Sequence, residues 1–366
     1  DGHDLKSLIE TFEIAKGMGK PVLVHIQTIK GKGYEIAEGK HEKWHGVSPF
    51  DLKSGTANSK SSLISATQIY ADALMNQADK NEKIVGVTAA MPSGTGLSAL
   101  MEKYPERFWD VAIAEQHAVT SMGALAKEGF KPFCTIYSTF LQRGFDQVIH
   151  DVCLMDLPVV FALDRAGIVG EDGETHQGAY DISFLRLIPN MTLCAPRDEL
   201  SFHQIVDFAS TYAHPCAIRY PRGAFAEADL PPSIPYERGK AQLLISNDSN
   251  RLFIGYGNGV GRAAQTMAFM EEKPSLLDLR FVKPLDSEML RQMAQKHKQW
   301  YVFSDSSRMG GVGSALLEWL SEAKITDVGV VSFEYDDEFI KHGNTKLVEE
   351  SLGLLPEQLA LRVIGE

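Results

Sequence analysis

The chain has 366 residues, which at roughly 150 residues per domain corresponds to about 2.4 domains. Hydrophobic residues make up 44% of it and charged residues 23%, a composition that excludes a mainly disordered protein. The net charge of -12 would repel a phosphate backbone, so no nucleic-acid partner is expected. No apolar stretch approaches the length of about 18 residues that a bilayer requires, so no membrane partner is expected either.

The cysteines and the start of the chain indicate an intracellular protein that is part of a longer one. The four cysteines form no C-x-x-C pair and no metal-ligand spacing, so reduced thiols in the cytoplasm are expected. They are Cys134, Cys153, Cys194 and Cys216. The first residues carry neither an initiating Met nor the basic and apolar regions of a signal peptide. We therefore expect the chain to begin inside a larger protein.

The first 62 residues predict one helix, one strand and a linker. Apolar residues recur at helical spacing over residues 4–16, behind Asp4, which can cap the helix. Residues 21–27 form a compact apolar run of strand length. Residues 31–62 lose this periodicity and are rich in Gly, Lys and Ser, which predicts a loop, a linker and a domain boundary near residue 55.

Helices and strands alternate regularly in the next region. Short apolar strands between helices predict a mostly parallel sheet covered by helices on both faces, which is the α/β fold class. Such sheets bind ligands in the loops at the carboxyl ends of their strands. The predicted helices span residues 63–78, 115–127, 141–155 and 199–210, with another after Tyr180, and the predicted strands span residues 84–88, 132–136, 159–163, 191–195 and 216–220.

A proline-rich segment at residues 222–240 predicts a second linker, followed by a second α/β domain. The glycine-rich run at residues 255–261 departs from the dinucleotide fingerprint, because Val260 stands where the third Gly is required. We interpret this run, and the one at residues 310–313, as tight turns into helix N-termini. The strands predicted in this domain span residues 252–256, 275–279, 300–304 and 328–333.

The loop at residues 164–178 is the strongest candidate site by spacing. It follows a predicted strand and contains four glycines, one Arg, four carboxylates and His176. It is either a solvated, flexible connection or a ligand site. Glycines allow close approach of the backbone to a ligand, and the guanidinium fork of Arg165 matches a phosphate or a carboxylate.

Other candidate residues would have structural roles on position alone. A Glu in the first turn of a helix, such as Glu115, is usually a favourable partner of the helix dipole. The others would be core aromatics or solvated surface residues. They are Tyr137, Phe140, Arg143, Arg222 and His45. Several of these positions nevertheless converge on one edge of the predicted sheet.

Together these segments resemble the 1-deoxy-D-xylulose-5-phosphate synthases, thiamine-diphosphate enzymes of the transketolase-like superfamily. The resemblance runs from Asp1 to the end of the chain and is densest in residues 112–120, 136–143, 164–178 and 219–223. Glu-Gln-His at 115–117 is typical of the superfamily, whereas the long loop ending in Thr-His-Gln-Gly points to these synthases. The implied fold is a thiamine-diphosphate-binding α/β fold followed by a transketolase-type carboxyl-terminal α/β domain.

The resemblance implies that pyruvate is decarboxylated and that its two-carbon unit is joined to D-glyceraldehyde 3-phosphate. The product feeds isoprenoid, thiamine and pyridoxal synthesis. In such enzymes the cofactor carries the difficult step, and the protein sets its orientation and tautomer. The resemblance also implies a cytoplasmic homodimer.

The resemblance assigns cofactor-binding roles to five residues. Glu115 matches the glutamate that hydrogen-bonds the aminopyrimidine ring and stabilises its imino tautomer, which makes it a catalytic residue. Phe140 matches the aromatic ring that stacks on the pyrimidine, and Ile113 matches the apolar side chain beneath the bent cofactor. Arg143 matches a polar contact at the pyrimidine end, and Lys30 is expected to reach the diphosphate.

The resemblance assigns substrate roles to a second group. His45 and His176 match catalytic histidines near the reacting carbon, where a group that titrates near neutrality can pass protons. Asp172 matches a loop acid near His176. The residues that match the groups holding the acceptor's phosphate are Tyr137, Arg165 and Arg222.

One departure concerns the metal. In this superfamily Mg²⁺ and the diphosphate are held by a domain with a Gly-Asp-Gly motif, and no such motif occurs in this sequence. We therefore expect no metal ligands here and expect the isolated chain to be inactive without an amino-terminal portion. The expected domains are a remnant of the diphosphate domain at 1–55, a pyrimidine-binding domain at 56–230 and a carboxyl-terminal domain at 240–366.

Two rival interpretations remain. The first is the β-subunit of a pyruvate dehydrogenase E1-type enzyme, which pairs the same two domains; the leading segment with His45 and the Thr-His-Gln loop argue against it. The second is a catalytically silent regulatory or interaction subunit. The interpretation as a silent subunit is opposed by the joint presence of five residues, which are Glu115, Phe140, Arg165, His176 and Arg222.

Overall fold

The computed structural model describes residues 1–39, 44, 47, 49–58 and 63–365. The chain divides into two compact units, Asp1–Leu63 and Ile64–Glu366. The first unit contains helix α1 (Leu5–Gly17), which confirms the helix predicted at residues 4–16. Asp4 caps it by accepting hydrogen bonds from the N–H groups of Lys6 and Ser7. No residue of α1 is buried within the chain.

The strand predicted at residues 21–27 is wrong. This segment has no strand structure, and Leu23 is 95% exposed. A strand needs a ladder of hydrogen bonds to a neighbouring strand, and the described residues of this unit provide only the 2.8 Å hydrogen bond from the Gly2 N–H to the carbonyl of Gln27. The described residues between 31 and 62 contain no helix or extended strand, and an isolated bridge between Phe50 and Ala57 is the only strand-like pairing among them. Tyr34 and Trp44 pack edge to face at 5.4 Å in this segment.

The second unit contains two sheets. Seven strands, in the order β10-β5-β6-β4-β3-β1-β2, form the first sheet, and five strands, in the order β12-β11-β8-β9-β7, form the second. The strands are β1 (Ile84–Thr88), β2 (Phe108–Asp110), β3 (Lys131–Tyr137), β4 (Val160–Asp164), β5 (Thr192–Cys194), β6 (Cys216–Arg219), β7 (Gln242–Ile245), β8 (Arg251–Gly255), β9 (Ser275–Asp278), β10 (Phe281–Lys283), β11 (Gln299–Ser307) and β12 (Gly329–Tyr335).

The helices alternate with these strands, as the sequence predicts. They are α2 (Ala66–Lys80), α3 (Ser98–Lys103), α4 (Glu115–Lys127), α5 (Phe145–Gln147), α6 (Asp181–Arg186), α7 (Glu199–Thr211), α8 (Gly259–Ala268), α9 (Ser287–Lys296), α10 (Val312–Glu322), α11 (Thr345–Ser351) and α12 (Pro356–Gly365). The helix predicted at residues 141–155 is irregular. It consists of a 3₁₀ turn (Phe140–Gly144), the short α5 and a π-helical segment (Val148–Cys153).

Both sheets are mostly parallel, which confirms the predicted α/β class. All pairings in the first sheet are parallel except that of β10 with β5, and all in the second are parallel except that of β7 with β9. Sequence patterning misses β10, which follows β9 in the chain but joins the first sheet. It also misses β2, β7 and α3.

Alternate residues of the central strands enter different cores. On β3, Cys134 and Ile136 pack with α4 in one cluster, whereas Phe133 packs with α2 and α7 in another. The first sheet is therefore covered on both faces, as predicted. The cluster that contains Ile136 also includes Ile254 and Val302 of the second sheet, so the two sheets share apolar packing.

All four cysteines are free and buried. Among the described residues, none of the helices has the length and apolar character needed to cross a membrane. The glycine-rich runs at 255–261 and 310–313 lead into α8 and α10, as interpreted from the sequence.

Candidate active site

The predicted site residues follow neighbouring strands of the seven-stranded sheet. β3 ends at Tyr137, and its parallel neighbour β4 ends at Asp164, next to Arg165. β6, on the other side of β4, ends at Arg219, shortly before Arg222. Because parallel strands present their carboxyl ends at one edge, these residues meet where α/β sheets bind ligands.

Tyr137 is in contact with two other predicted site residues. Its ring stacks on Phe140, with centroids 5.3 Å apart and planes 14° apart. The guanidinium carbon of Arg165 lies 4.1 Å from the Tyr137 ring centroid, in a cation–π contact. Burial raises the pKa of Tyr137 to about 12, and the charges of Arg165 and Arg222 oppose this shift. The phenol therefore stays protonated near neutral pH and can donate a hydrogen bond.

Arg165 is fixed on one side and open on the other. Its φ of 60° lies in the left-handed region, which is uncommon for a residue with a side chain. Nη1 lies 2.9 Å from Asp164 Oδ1 and also donates to the carbonyl of Gly94. Asp164 in turn accepts a 2.7 Å hydrogen bond from the Thr67 hydroxyl. In the described part of the chain neither the buried Nε–H nor Nη2 of Arg165 has a hydrogen-bond partner, and Nη2, which is not buried, is available to a ligand.

The loop at residues 164–178 is held by its own hydrogen bonds. Gly167 and Gly178 form an antiparallel bridge in which each N–H donates to the other's carbonyl at 2.8 Å. The Gln177 side chain accepts a 2.8 Å hydrogen bond from the Val169 N–H, and its amide nitrogen lies 3.4 Å from the carbonyl of Ile340. These contacts favour a defined loop over the alternative of a solvated, flexible connection.

Arg222 pairs with acids of the same loop. Its Nη1 lies 3.5 Å from a carboxylate oxygen of Glu171 and 3.7 Å from one of Asp172, and it donates to the carbonyl of Val169. Ion pairs between partly exposed groups contribute little to stability, so ligand phosphate could compete for this guanidinium. The predicted substrate residues Arg222 and Asp172 are therefore brought together.

His176 lies against the aromatic pair. Its ring packs edge to face on Phe140 at 5.1 Å, and its Nδ1 lies 2.9 Å from the Thr175 hydroxyl. The carbonyl of Thr175 accepts a 3.2 Å hydrogen bond from the Thr139 hydroxyl, which ties the loop to the segment after β3. The imidazole is thus positioned beside Phe140, the ring that the resemblance expects to stack on the cofactor's pyrimidine.

Glu115 starts α4 and is 3% exposed. Its carboxylate lies 3.8 Å from Nη1 of Arg143, a contact too long for a hydrogen bond, so its oxygens can still accept one from a ligand. Ile113 is 72% exposed and follows Ala112, whose φ of 59° is left-handed. Asp110 fixes this turn by accepting a 2.9 Å hydrogen bond from the Ala112 N–H. An exposed apolar side chain thus stands beside a buried acid.

The remaining candidates lie in the first unit. The carbonyl of Lys30 accepts a 3.0 Å hydrogen bond from the Gly39 N–H. His45 lies outside the described residues. The roles of both stay predictions.

Sequence reasoning missed the turn that follows β1. Within it Gly94 contacts both Arg165 and Tyr137, and Asp110 joins the turn to the start of α4 by accepting a 2.7 Å hydrogen bond from the Ala90 N–H. The available signal was the Pro-Ser-Gly-Thr-Gly sequence at residues 92–96, directly after a predicted strand. Among the described residues, no group of three or more His, Cys, Asp or Glu is arranged to hold a metal ion.

Family models match most of the second unit. The transketolase pyrimidine-binding domain matches residues 62–227, and the transketolase carboxyl-terminal domain matches residues 239–359. Similar proteins include 1-deoxy-D-xylulose-5-phosphate synthases from Sulfurimonas denitrificans, 71% identical over 99% of this chain, and Aliarcobacter butzleri, 64% identical over 99%. The chain spans 60% of the length of each of these relatives.

Solved structures agree on the fold. A split gene transketolase, described as an inactive beta4 tetramer, matches with a TM-score of 0.73 and 26% identity, over 82% of this chain and 97% of that one. Transketolase from Campylobacter jejuni matches in fold, with a TM-score of 0.68 and 17% identity, over 84% of this chain and 47% of that one. The chain therefore belongs to the transketolase family, of which it carries the pyrimidine-binding and carboxyl-terminal domains.

Proposed function

We propose that this chain is the pyrimidine-binding and carboxyl-terminal part of a 1-deoxy-D-xylulose-5-phosphate synthase that depends on thiamine diphosphate and Mg²⁺. The observation that carries the proposal is the meeting of Tyr137, Phe140, Arg165 and His176 at one sheet edge. The identity of 71% to a curated synthase supports it. The enzyme acts in the cytoplasm as a homodimer.

The residues present fit the pyrimidine end of the cofactor. A buried carboxylate that retains free acceptor oxygens suits the N–H of an aminopyrimidine ring, and Glu115 provides it. Phe140 provides a ring for stacking, Ile113 an exposed apolar support and Arg143 a polar neighbour of Glu115. The diphosphate and Mg²⁺ ligands belong to the portion that the relatives have and this chain does not span, with Lys30 as a contribution from the first unit.

Thiamine diphosphate supplies the electron sink that lets pyruvate lose carbon dioxide. Glu115 holds a proton at its carboxylate and so sets the tautomer of the bound ring. Arg165 donates from Nη2 to the phosphate of D-glyceraldehyde 3-phosphate, the neutral phenol of Tyr137 donates beside it, and Arg222 adds a second guanidinium. His176, with His45, passes protons to oxygens of the substrates, and Asp172 orients the loop.

The domain boundaries follow from the same proposal. Residues 1–55 complete the diphosphate domain, 56–230 form the pyrimidine-binding domain and 240–366 form the carboxyl-terminal domain. The family matches at 62–227 and 239–359 support the last two. Residues 1–55 fall within the unit Asp1–Leu63, whose helix α1 has no buried residue, as expected of a fragment that packs on a missing portion.

The test uses a fusion protein, the completed chain, in which this chain is joined to the portion of the Sulfurimonas denitrificans synthase that it does not span. Pyruvate and D-glyceraldehyde 3-phosphate are supplied with thiamine diphosphate and Mg²⁺. We expect carbon dioxide release and 1-deoxy-D-xylulose 5-phosphate, detected by mass spectrometry. The absence of this product, with the Sulfurimonas denitrificans synthase active as control, would contradict the proposal.

The isolated chain is expected neither to turn over nor to bind thiamine diphosphate tightly. The diphosphate contacts of the cofactor belong to the portion it does not span, and the similar split gene transketolase is described as inactive as a beta4 tetramer. Calorimetry should show Mg²⁺-dependent binding of thiamine diphosphate to the completed chain and no tight binding to the isolated chain. Strong binding of thiamine diphosphate to the isolated chain would contradict this part of the proposal and favour a site that is complete within this chain.

A further inference from the structure

The turn between β1 and α3 reaches the candidate site through its glycine. The turn is rigid because Thr95, which is fully buried, donates to the carbonyl of Met91 from both its N–H (2.9 Å) and its hydroxyl (2.8 Å). The Gly96 N–H adds a 3.2 Å hydrogen bond to the carbonyl of Ser93. Gly94 lies inside this hydrogen-bonded turn, so its backbone has little freedom to move.

Gly94 leaves no room for a side chain. A Cβ atom placed on it would lie 1.9 Å from the hydroxyl oxygen of Tyr137 and 3.0 Å from its Cζ. The backbone of Gly94 is not in the left-handed region, so another residue could adopt its conformation. The close approach to Tyr137 is therefore what requires glycine here. Since Tyr137 is buried and stacked on Phe140, its ring cannot simply swing away.

The same glycine also orients Arg165. Its carbonyl accepts a hydrogen bond from Nη1, the nitrogen that also pairs with Asp164 at 2.9 Å. With Nη1 fixed by two acceptors, Nε and Nη2 of Arg165 are left without a partner among the described residues, and of these two Nη2 is the one that is not buried. The backbone of Gly94 thus fixes the positions of both the Tyr137 hydroxyl and the free donor of Arg165.

We propose that Gly94 is a specificity-determining position that makes the site select phosphorylated acceptors. Its missing side chain allows the Tyr137 hydroxyl and the free Nη2 of Arg165 to act on the same anionic group, and its carbonyl holds Arg165 in place. A side chain at position 94 would separate these two donors. The inference rests on the proposed function, in which Tyr137 and Arg165 bind the acceptor's phosphate.

The experiment compares the completed chain with its Gly94→Ala variant, using D-glyceraldehyde 3-phosphate and unphosphorylated D-glyceraldehyde as acceptors. Losing one charge-assisted hydrogen bond should raise the KM for the phosphorylated acceptor about tenfold or more. The kcat, the KM for pyruvate and kcat/KM for the unphosphorylated acceptor should stay within about twofold of the parent. Gly329→Ala, on β12, is the matched control, because a Cβ atom placed there would lie 3.9 Å from the carbonyl oxygen of Lys298, an ordinary van der Waals contact.

A second variant distinguishes an effect of Gly94→Ala on Tyr137 from a general disruption of the structure. Replacing Tyr137 with Phe removes the oxygen nearest to the added Cβ, so the cost of Gly94→Ala should be smaller in a Tyr137→Phe background than in the parent. Additive costs would overturn the inference, as would equal losses with both acceptors. If the parent completed chain formed no product, the proposed function would fail and this inference with it. An active parent whose variant shows no acceptor selectivity would overturn the role of Gly94 alone.

Discussion

The two sheets of the second unit have similar architecture but differ at the carboxyl ends of their strands. In the five-stranded sheet, the glycine-rich turn that starts α10 is filled by Glu334. Its carboxylate accepts hydrogen bonds from the N–H groups of Val312 (2.7 Å) and Gly313 (3.1 Å) and from the Ser306 hydroxyl (2.9 Å). The protein's own acid thus occupies the place where a helix N-terminus would bind an external anion.

The seven-stranded sheet keeps its edge open. The buried Nε–H of Arg165 and the buried hydroxyl of Ser138 have no partner in the described part of the chain, and Nη1 of Arg143 lies 3.8 Å from the carboxylate of Glu115, too far for a hydrogen bond. Buried polar groups are usually satisfied, and those that are not need a reason. The comparison indicates that the turn into α10 is closed by the protein's own acid, whereas the edge of the seven-stranded sheet keeps polar groups for ligands.

The largest expected effect tests Glu115, the acid at the open edge of the seven-stranded sheet. In the completed chain, Glu115→Ala should lower kcat by about 10²-fold to 10⁴-fold, the range for loss of a group that holds a proton in the reaction. Glu128→Ala, at the exposed end of the same helix, should leave kcat unchanged. Steady-state assays check both variants. Unchanged kinetics in Glu115→Ala would remove this residue from the site.

The next effect tests the closed edge. Glu334→Ala leaves two backbone N–H groups and buried hydroxyls without an acceptor, so the free energy of unfolding should fall by about 2–4 kcal/mol. The KM for D-glyceraldehyde 3-phosphate should not change at temperatures where the variant is folded. Denaturant unfolding and kinetics check these points, with exposed Glu338→Ala as control. A changed KM with unchanged stability would reverse the comparison.

The smallest effect concerns Arg222, whose ion pairs with Glu171 and Asp172 are long and partly exposed. Arg222→Ala should raise the KM for D-glyceraldehyde 3-phosphate by up to about tenfold, the cost of one guanidinium–phosphate contact. The KM for pyruvate should stay constant. Arg308→Ala removes an exposed Arg that pairs with Asp336 at 2.7 Å, and it should change neither constant. An effect on pyruvate alone would contradict the assigned role.

Local patterning predicted much of this fold. The strand predicted at residues 84–88 and the helix at 115–127 match Ile84–Thr88 and Glu115–Lys127, because short apolar runs and amphipathic spacing depend on nearby residues alone. The strand at 21–27 was wrong because pairing needs a neighbour that no local pattern reveals. For the same reason β10, which joins the first sheet from a distant part of the chain, could not be found.

The candidate site was predictable in part. Strand ends and the resemblance pointed to Tyr137 and Arg165, which the structure places in contact. Gly94 could not be found, because its role depends on how closely its backbone approaches side chains 43 and 71 residues away in sequence. Glu334 was missed for a similar reason, since its donors come from a turn and a strand that the sequence does not link to it.

The central claim is that ligands bind the edge of the seven-stranded sheet and not the edge filled by Glu334. Hydrogen–deuterium exchange of the completed chain, with and without thiamine diphosphate, Mg²⁺ and D-glyceraldehyde 3-phosphate, tests it directly. We predict slower exchange on ligand addition at residues 90–97, 112–119, 137–144 and 165–178, with no change at 255–261 and 310–313. Protection at the latter two segments, or none at the former four, would contradict the account.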